Sequence, residues 1–291
     1  LPPSISNCKQ LLSLRFCEIQ RQIPKFILDE RRLIVVQIDS HAVVNSKAEL
    51  GDGVVVGPFA IIEDDVRIGE NTWIGSHVYV AAGTRIGNNC KIFQGAILGN
   101  IPQDLKFKGE KTTLEIGDGT VIREYCTIHR GTMDRWKTTI GSNSFLMAYV
   151  HVAHDCQIGN GVILANAVNM GGHVVIEDFA GVGGIVPIHQ FVRIGRYAFI
   201  GGGFRVPKDV PPFILAMGEP LQFGGLNVVG LRRRGFSEER LRPLRQTYRL
   251  IYRQNLNVSQ ALERIRSEVE LTPEVKHVIE FIENSERGII K

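Results

Sequence analysis

The stretch VGPFAI-IEDDVR-IGENTW-IGSHVY, residues 56–79, places an aliphatic residue at every sixth position and a small or β-branched one four places after it. Followed outward at the same spacing from Val44 to Ile200, 24 of 27 positions are aliphatic or Met, and the three misses are Asp104, Glu110 and Asp134. An amphipathic helix needs a period of 3.6 and an ordinary strand one of 2.0, so a sustained six fits neither a helix bundle nor a sandwich. A hexad repeat of this length describes a parallel β-helix, in which short strands and turns wind into a coil and each turn buries its apolar residues against its neighbours. Three hexads make one 18-residue turn of a triangular coil, so residues 18 apart stack at about 4.8 Å.

Around this coil the 291 residues divide into three segments. Residues 1–38 precede the repeat and carry Arg15, Arg21, Lys25, Arg31 and Arg32 with few acids, a transit-like composition. Residues 39–210 hold the hexads, and Pro207, Pro211 and Pro212 are expected to end them because proline lacks the N–H that a ladder needs. Residues 211–291 read as a small helical domain with helices near 238–254, 258–270 and 273–285, started by Ser237, Asn257 and the Thr272-Pro273-Glu274 cap.

No apolar run reaches the roughly 18 to 20 residues of a transmembrane helix, and a formal net charge of +4 is too small to mark a nucleic-acid binder. Cys90, Cys126 and Cys156 occupy the small interior slot of their hexads, where they read as reduced core residues, and no disulfide is expected.

Five of the eight histidines, His129, His151, His154, His173 and His189, cluster in the second half of the coil at positions that do not face its core. The 18-residue map puts His154, Gly172 and Gln190 in one column and Asp155, His173 and Phe191 in the next. Histidine is the default general base near neutral pH. His154 has an acid beside it, and Gly172 offers a backbone N–H that no side chain screens. A base next to an open N–H donor is what acyl transfer needs: one takes the nucleophile's proton, the other stabilises the oxyanion. Zinc chemistry is the competing reading, although His151 and His154, three apart in an extended strand, point to opposite faces.

From about Ile38 to the C-terminus the chain resembles UDP-N-acetylglucosamine 3-O-acyltransferase, the first acyltransferase of lipid A biosynthesis. The matching strings are QDLK (103–106), TIHRGT (127–132), HVAHDC (151–156), ILAN (163–166), GGH (171–173), HQF (189–191), DVPP (209–212), GLN (225–227) and GLRRRGF (230–236). The resemblance implies a mainly β fold, a left-handed parallel β-helix with a C-terminal α-helical domain, assembled as a homotrimer. It implies transfer of an (R)-3-hydroxyacyl chain, 3-hydroxymyristoyl, from acyl carrier protein to the sugar 3-hydroxyl of UDP-N-acetylglucosamine. No metal or other cofactor is implied beyond the phosphopantetheine that carries the donor. By match, His154 is the base, Asp155 its orienting partner and Gly172 N–H the oxyanion donor. Asp104, Lys106, His129, His151, His173, His189 and Gln190 match sugar, diphosphate or acyl contacts. Asn227, Arg233 and Arg234 match the nucleotide end, and Gly202 matches the position that limits acyl length.

An acidic carrier suits the arginines of the C-terminal domain, Arg232 to Arg234, Arg240, Arg242, Arg245, Arg249 and Arg253. The leader sets the chain apart from the bacterial pattern and, with its composition, suggests a plant organellar member, mitochondrial, with plastid or bacterial-type cytoplasm as the alternatives. The second loop, MDRWKT at 133–138, lacks the glycine-rich stretch of bacterial members, and EPLQFGG at 219–225 is also unusual. Two readings from other classes stay open at this stage: a γ-class carbonic anhydrase-like zinc enzyme, and a non-catalytic hexapeptide scaffold.

Overall fold

A computed structural model describes residues 35–291, so the leader lies almost wholly outside the described residues. Strands of mostly two residues wind into a coil with three flat faces, an 11-stranded sheet (face A) and two 8-stranded sheets (faces B and C). Val55–Val56, Ile61–Ile62 and Arg67–Ile68 start one turn on faces A, B and C respectively. Each strand pairs in parallel with the one a turn later, so Ile62 meets Val80 and Val56 meets Ile74, an offset of 18 residues in both cases.

The three misses in the register have a structural cause. Leu98 pairs with Ile128, an offset of 30, and Ile128 with Val152, an offset of 24. The first excursion therefore adds 12 residues, containing Asp104 and Glu110, and the second adds 6, containing Asp134. Both leave the coil where face B turns into face C, and the hexad register resumes beyond each. The core consists of the aliphatic position and the slot four places on: Ile62, Ile92, Ile122 and Leu146 beside Val66, Ala96, Cys126 and Val150, all at most 1% exposed. Each buried Ile or Leu contributes about 1.5–3 kcal/mol. Cys90, Cys126 and Cys156 fill that slot as free thiols.

The corners use left-handed backbone. On the edge from face C to face A the residues are Gly53, Asn71, Asn89, Gly119, Asn143 and Gly161, then Phe179, Tyr197 and Phe213, all at positive φ. Glycine and asparagine adopt this conformation readily, whereas other residues incur about 1–2 kcal/mol. Stacking of Phe179 on Tyr197 at 5.1 Å and of Tyr197 on Phe213 at 5.6 Å offsets part of that cost.

The coil extends beyond the boundary at 210. Val206 and Val210 still bridge to Ile188 and Ile194, and Ile214–Met217 adds a parallel strand next to Phe199–Ile200. The prolines fall between these bridges, where no ladder N–H is required. Face A then closes with an antiparallel strand, Gln222–Leu226. Four helices follow: α1 (Val228–Arg233), α2 (Glu238–Arg253), α3 (Val258–Glu268) and α4 (Pro273–Glu283). Ser237, Asn257 and Thr272 cap the last three through their side chains, while α1, too short for a periodic pattern, is an element the hexad and helix periods did not reveal. Phe223 of the closing strand stacks on Tyr252 at 4.3 Å and Tyr248 at 5.5 Å of α2, which seals that end of the coil. No helix of the described residues is long and apolar enough to cross a membrane.

Candidate active site

The site lies on the edge where face B becomes face C. Face B strand His151–Val152 ends there, and residues 154 and 155 make the turn before Gln157–Ile158 starts face C. Asp155 takes the left-handed corner position, φ 60°, which swings its carboxylate back under its own neighbour, and His154 Nδ1 lies 2.8 Å from Asp155 Oδ2. The imidazole thus directs Nδ1 to the acid and leaves Nε2 outward. His154 is partly exposed and Asp155 wholly buried.

Burial works against the charged form of Asp155, yet hydrogen bonds from His154 and from the side chain and backbone of Thr132 outweigh it and hold the carboxyl down at about 2. It is therefore ionised at neutral pH, fit to stabilise an imidazolium on His154. One turn up, Gly172 faces the ring closely enough that a Cβ there would lie 2.7 Å from His154 Nε2. The Gly172 N–H has no acceptor among the described residues. The outer edge of the His154 ring and Gly172 therefore adjoin.

The histidine cluster resolves into two pairs. His154 and His173 meet edge to face at 5.2 Å, and His129 and His151 at 5.1 Å. His173 also stacks on Phe191 at 4.5 Å. His129 and His173 are buried, and at His173 the second excursion comes close, with Asp134 Oδ2 3.5 Å from His173 Nε2. Burial drives His129 down to about 4, with a smaller push from His151, and lowers His151 and His173 as well. His129 Nδ1 has no hydrogen-bond partner among the described residues and is buried, an uncharged polar group aimed at the site. His189 is exposed, its Nδ1 3.0 Å from the Gln190 carbonyl, and Gln190 lies one turn above Gly171. Asp104 and Lys106 sit on the first excursion, where Asp104 Oδ1 accepts the Lys106 N–H at 2.9 Å.

The remaining candidates lie on other edges of the same chain. Asn227, Arg233 and Arg234 belong to α1 on the edge between faces C and A. Asn227 caps α1 by accepting from Gly230 N–H and donates to the Tyr197 carbonyl at 3.0 Å, and the Arg234 guanidinium lies 4.4 Å over the Phe179 ring. Gly202 lies on the edge between faces A and B, against the Gly184 backbone. One chain alone does not bring these four to His154.

Among the described residues, one group of His, Cys and carboxylate side chains is close enough to share a metal ion: His154, Asp155 and His173. Its carboxylate already accepts three hydrogen bonds. Asp155 Oδ1 accepts from Thr132 N–H at 2.9 Å, and Oδ2 from the Thr132 hydroxyl at 2.6 Å and from His154. A carboxylate so occupied suits a base-orienting partner better than a metal ligand. Thr132, Arg135 and Thr138, which all bond to Asp155, escaped the sequence reading. The one available signal was that Thr132 stands four places after Ile128, in the interior slot of its hexad.

Fold and site together define the class, a hexapeptide-repeat transferase. Consistent with this, the family described as bacterial transferase hexapeptide (six repeats) matches residues 65–100 and 137–172, and that described as Udp N-acetylglucosamine O-acyltransferase, domain 2, matches residues 209–290. The chain is 48% identical over 258 residues to the acyl-[acyl-carrier-protein]–UDP-N-acetylglucosamine O-acyltransferase of Halorhodospira halophila, covering 88% of this chain and 100% of that one. Its fold is similar to the crystal structure of a UDP-N-acetylglucosamine acyltransferase from Bacteroides fragilis, with a TM-score of 0.87 at 47% identity over 88% of this chain and 100% of that one. The Arabidopsis UDP-N-acetylglucosamine acyltransferase superposes with a TM-score of 0.75 at 37% identity over 87% of this chain and 100% of that one. The chain belongs to the UDP-N-acetylglucosamine O-acyltransferase family.

Proposed function

We propose that the protein transfers an (R)-3-hydroxyacyl chain, 3-hydroxymyristoyl, from acyl carrier protein to the 3-hydroxyl of UDP-N-acetylglucosamine. The observation that carries the mechanism is the His154–Asp155 pair beside the open Gly172 N–H. His154 Nε2 takes the proton of the sugar hydroxyl as its oxygen attacks the thioester carbonyl. Gly172 N–H receives the developing oxyanion, and the ionised Asp155 stabilises the imidazolium. Collapse of the tetrahedral intermediate breaks the C–S bond, and the imidazolium returns its proton to the phosphopantetheine thiolate. The C–O bond formed and the C–S bond broken lie in the two substrates, and the one proton moved passes through His154 Nε2.

His129, His151 and His173, kept neutral by burial, offer hydrogen bonds to sugar, diphosphate or acyl groups without adding charge, and Asp104, Lys106, His189 and Gln190 border the same edge. Incubating the protein with UDP-N-acetylglucosamine and 3-hydroxymyristoyl acyl carrier protein, beside His154→Ala, is the test. Absence of product from the native protein defeats the reading; equal product from both defeats the role of His154.

The homotrimer implied by the family resemblance is supported by the placement of the nucleotide-end residues. Asn227, Arg233 and Arg234 lie one edge away from His154, so a neighbouring subunit must supply them, in a head-to-tail contact that closes into a ring. A guanidinium pair suits a diphosphate through directed hydrogen bonds. Mixing His154→Ala with Arg234→Ala chains and finding activity that neither has alone would support shared sites; a monomeric mass in light scattering would contradict them. For location, the Arg-rich leader favours an organelle, the mitochondrion, in a plant cell. Residues 1–38 fused to a fluorescent protein would separate mitochondrial from plastid or diffuse distribution.

A further inference from the structure

We propose that the excursion from Thr132 to Thr138 is a clamp on the His154–Asp155 pair, in which Thr132 is the principal positioning residue and Arg135 the second. The inference rests on the acyl-transfer reading and extends it to residues that touch no reacting atom.

Each polar group of Asp155 is taken by this one segment. Its N–H donates to Thr138 Oγ1 at 2.9 Å and its carbonyl accepts from Arg135 Nη1 at 3.0 Å. Its Oδ1 accepts from Thr132 N–H at 2.9 Å and its Oδ2 from the Thr132 hydroxyl at 2.6 Å. The direction of that last bond is set by the ionised carboxylate, which only accepts, while Thr132 Oγ1 in turn accepts the Asp134 N–H at 3.3 Å. The loop that makes this possible is closed by Trp136 N–H on the Thr132 carbonyl at 2.7 Å.

An aspartate carboxylate turns about a soft sp³–sp² torsion and, with a single partner, has a broad range of orientations. Two donors from one residue, one on each oxygen, remove that freedom. What remains open on Oδ2 is the direction of His154 Nδ1. Thr132 thereby fixes the ring plane and the tautomer with hydrogen on Nδ1, which leaves Nε2 as the base next to Gly172. The other charged and titratable groups around the pair are His129, His173, Asp134, whose Oδ2 is 3.5 Å from His173 Nε2, and the Arg135 guanidinium. The clamp works through orientation and needs none of them to titrate.

The decisive comparison is Thr132→Val, which keeps the N–H and shape but removes the hydroxyl, against Thr132→Ser, which restores it. Steady-state kinetics with both substrates should give a Thr132→Val kcat lower by on the order of 10- to 100-fold, a KM for UDP-N-acetylglucosamine within about twofold of native, and recovery of kcat in Thr132→Ser to within about threefold. A structural role alone would lower the amount of folded enzyme without this split or this rescue. Should Thr132→Val melt below the assay temperature, Arg135→Met reports the same thing from the half-buried face of the loop: a several-fold lower kcat at native KM is expected, and native kcat overturns the proposal. A native enzyme that turns over while Thr132→Val matches its kcat also overturns the clamp and leaves acyl transfer standing. A native enzyme that makes no product overturns the acyl-transfer reading first, and the clamp with it.

Discussion

His154 and Asp155 are adjacent in the chain and still meet side chain to side chain, Nδ1 to Oδ2 at 2.8 Å, because Asp155 sits in the left-handed corner of the coil. Sequence neighbours in a regular strand point to opposite faces and cannot do this. The turn thus makes the pairing possible. His154→Ala is expected to lower kcat by about 10²- to 10⁴-fold with little change in thermal stability. Asp155→Asn, which keeps the shape and loses the charge, should fall in the same range, and full turnover by either variant in the acyl-transfer assay would contradict the assignment.

At Gly172 space, rather than backbone freedom, is what a side chain would take away. Its φ lies outside the left-handed region, so alanine is conformationally acceptable, but the added Cβ would stand 2.6 Å from Cε1 and 2.7 Å from Nε2 of His154. The ring can swing outward, so Gly172→Ala should keep a melting temperature near native and lose at least about tenfold in kcat by displacing the base. Native kcat in this variant would remove Gly172 from the mechanism.

His129 gives the fold a defined acid sensitivity. An unfolded imidazole takes a proton near 6.5 and the buried one only at about 4, so the unfolded chain binds more protons between those values. Stability is full above about pH 6.5 and declines as pH falls towards about 4, by up to about 3 kcal/mol from this residue, with His151 and His173 acting in the same direction. Denaturant melts of His129→Asn between pH 7 and 4 should show a flatter decline than native protein; parallel curves would refute the burial effect.

Acyl length should be read at Gly202. A Cβ there would come within 3.2 Å of the Gly184 carbonyl oxygen, so two turns present bare backbone at that edge. A fourteen-carbon donor is expected to be used faster than a ten-carbon one. Four methylenes at about 0.8 kcal/mol each set an upper limit on the order of 100-fold in kcat/KM. Gly202→Met should reverse the order, and a native preference for the ten-carbon donor would exclude this position as the limit.

The arginines of α2 divide into paired and unpaired sets. Arg245 pairs with Glu238, which also takes Arg232 of α1, and Arg240 pairs with Glu274. Arg242, Arg249 and Arg253 have no ion pair among the described residues and fall on one face of α2, at spacings of seven and four residues. Charge reversal at Arg249 should raise the KM for acyl carrier protein several-fold at low salt and flatten its salt dependence, while the KM for the nucleotide sugar stays constant. Salt-independent kinetics in the native protein would rule out steering by this stripe.

The coil and the column holding His154 and Gly172 were legible because hexad spacing is local information that every turn repeats. The helix starts were legible for a similar reason, since Ser237, Asn257 and Thr272 cap within their own first turns. Contacts formed by leaving the coil were not. Thr132 reaches Asp155 across 23 residues through an excursion whose path no period encodes, and the same excursion brings Asp134 to 3.5 Å from the buried His173. Asn227 matches a nucleotide contact by family resemblance, whereas its bond to the Tyr197 carbonyl, 30 residues away, is a long-range contact that no local pattern carries.

The antiparallel strand Gln222–Leu226, with Phe223 under Tyr248 and Tyr252, has a consequence for behaviour in concentrated solution. A parallel coil with open edges at both ends is a template for end-to-end fibres, since every terminal N–H and carbonyl invites another copy. Here the last rung runs the wrong way for a parallel newcomer and lies beneath a helix. On face A, therefore, this end offers no open parallel edge for another copy to extend.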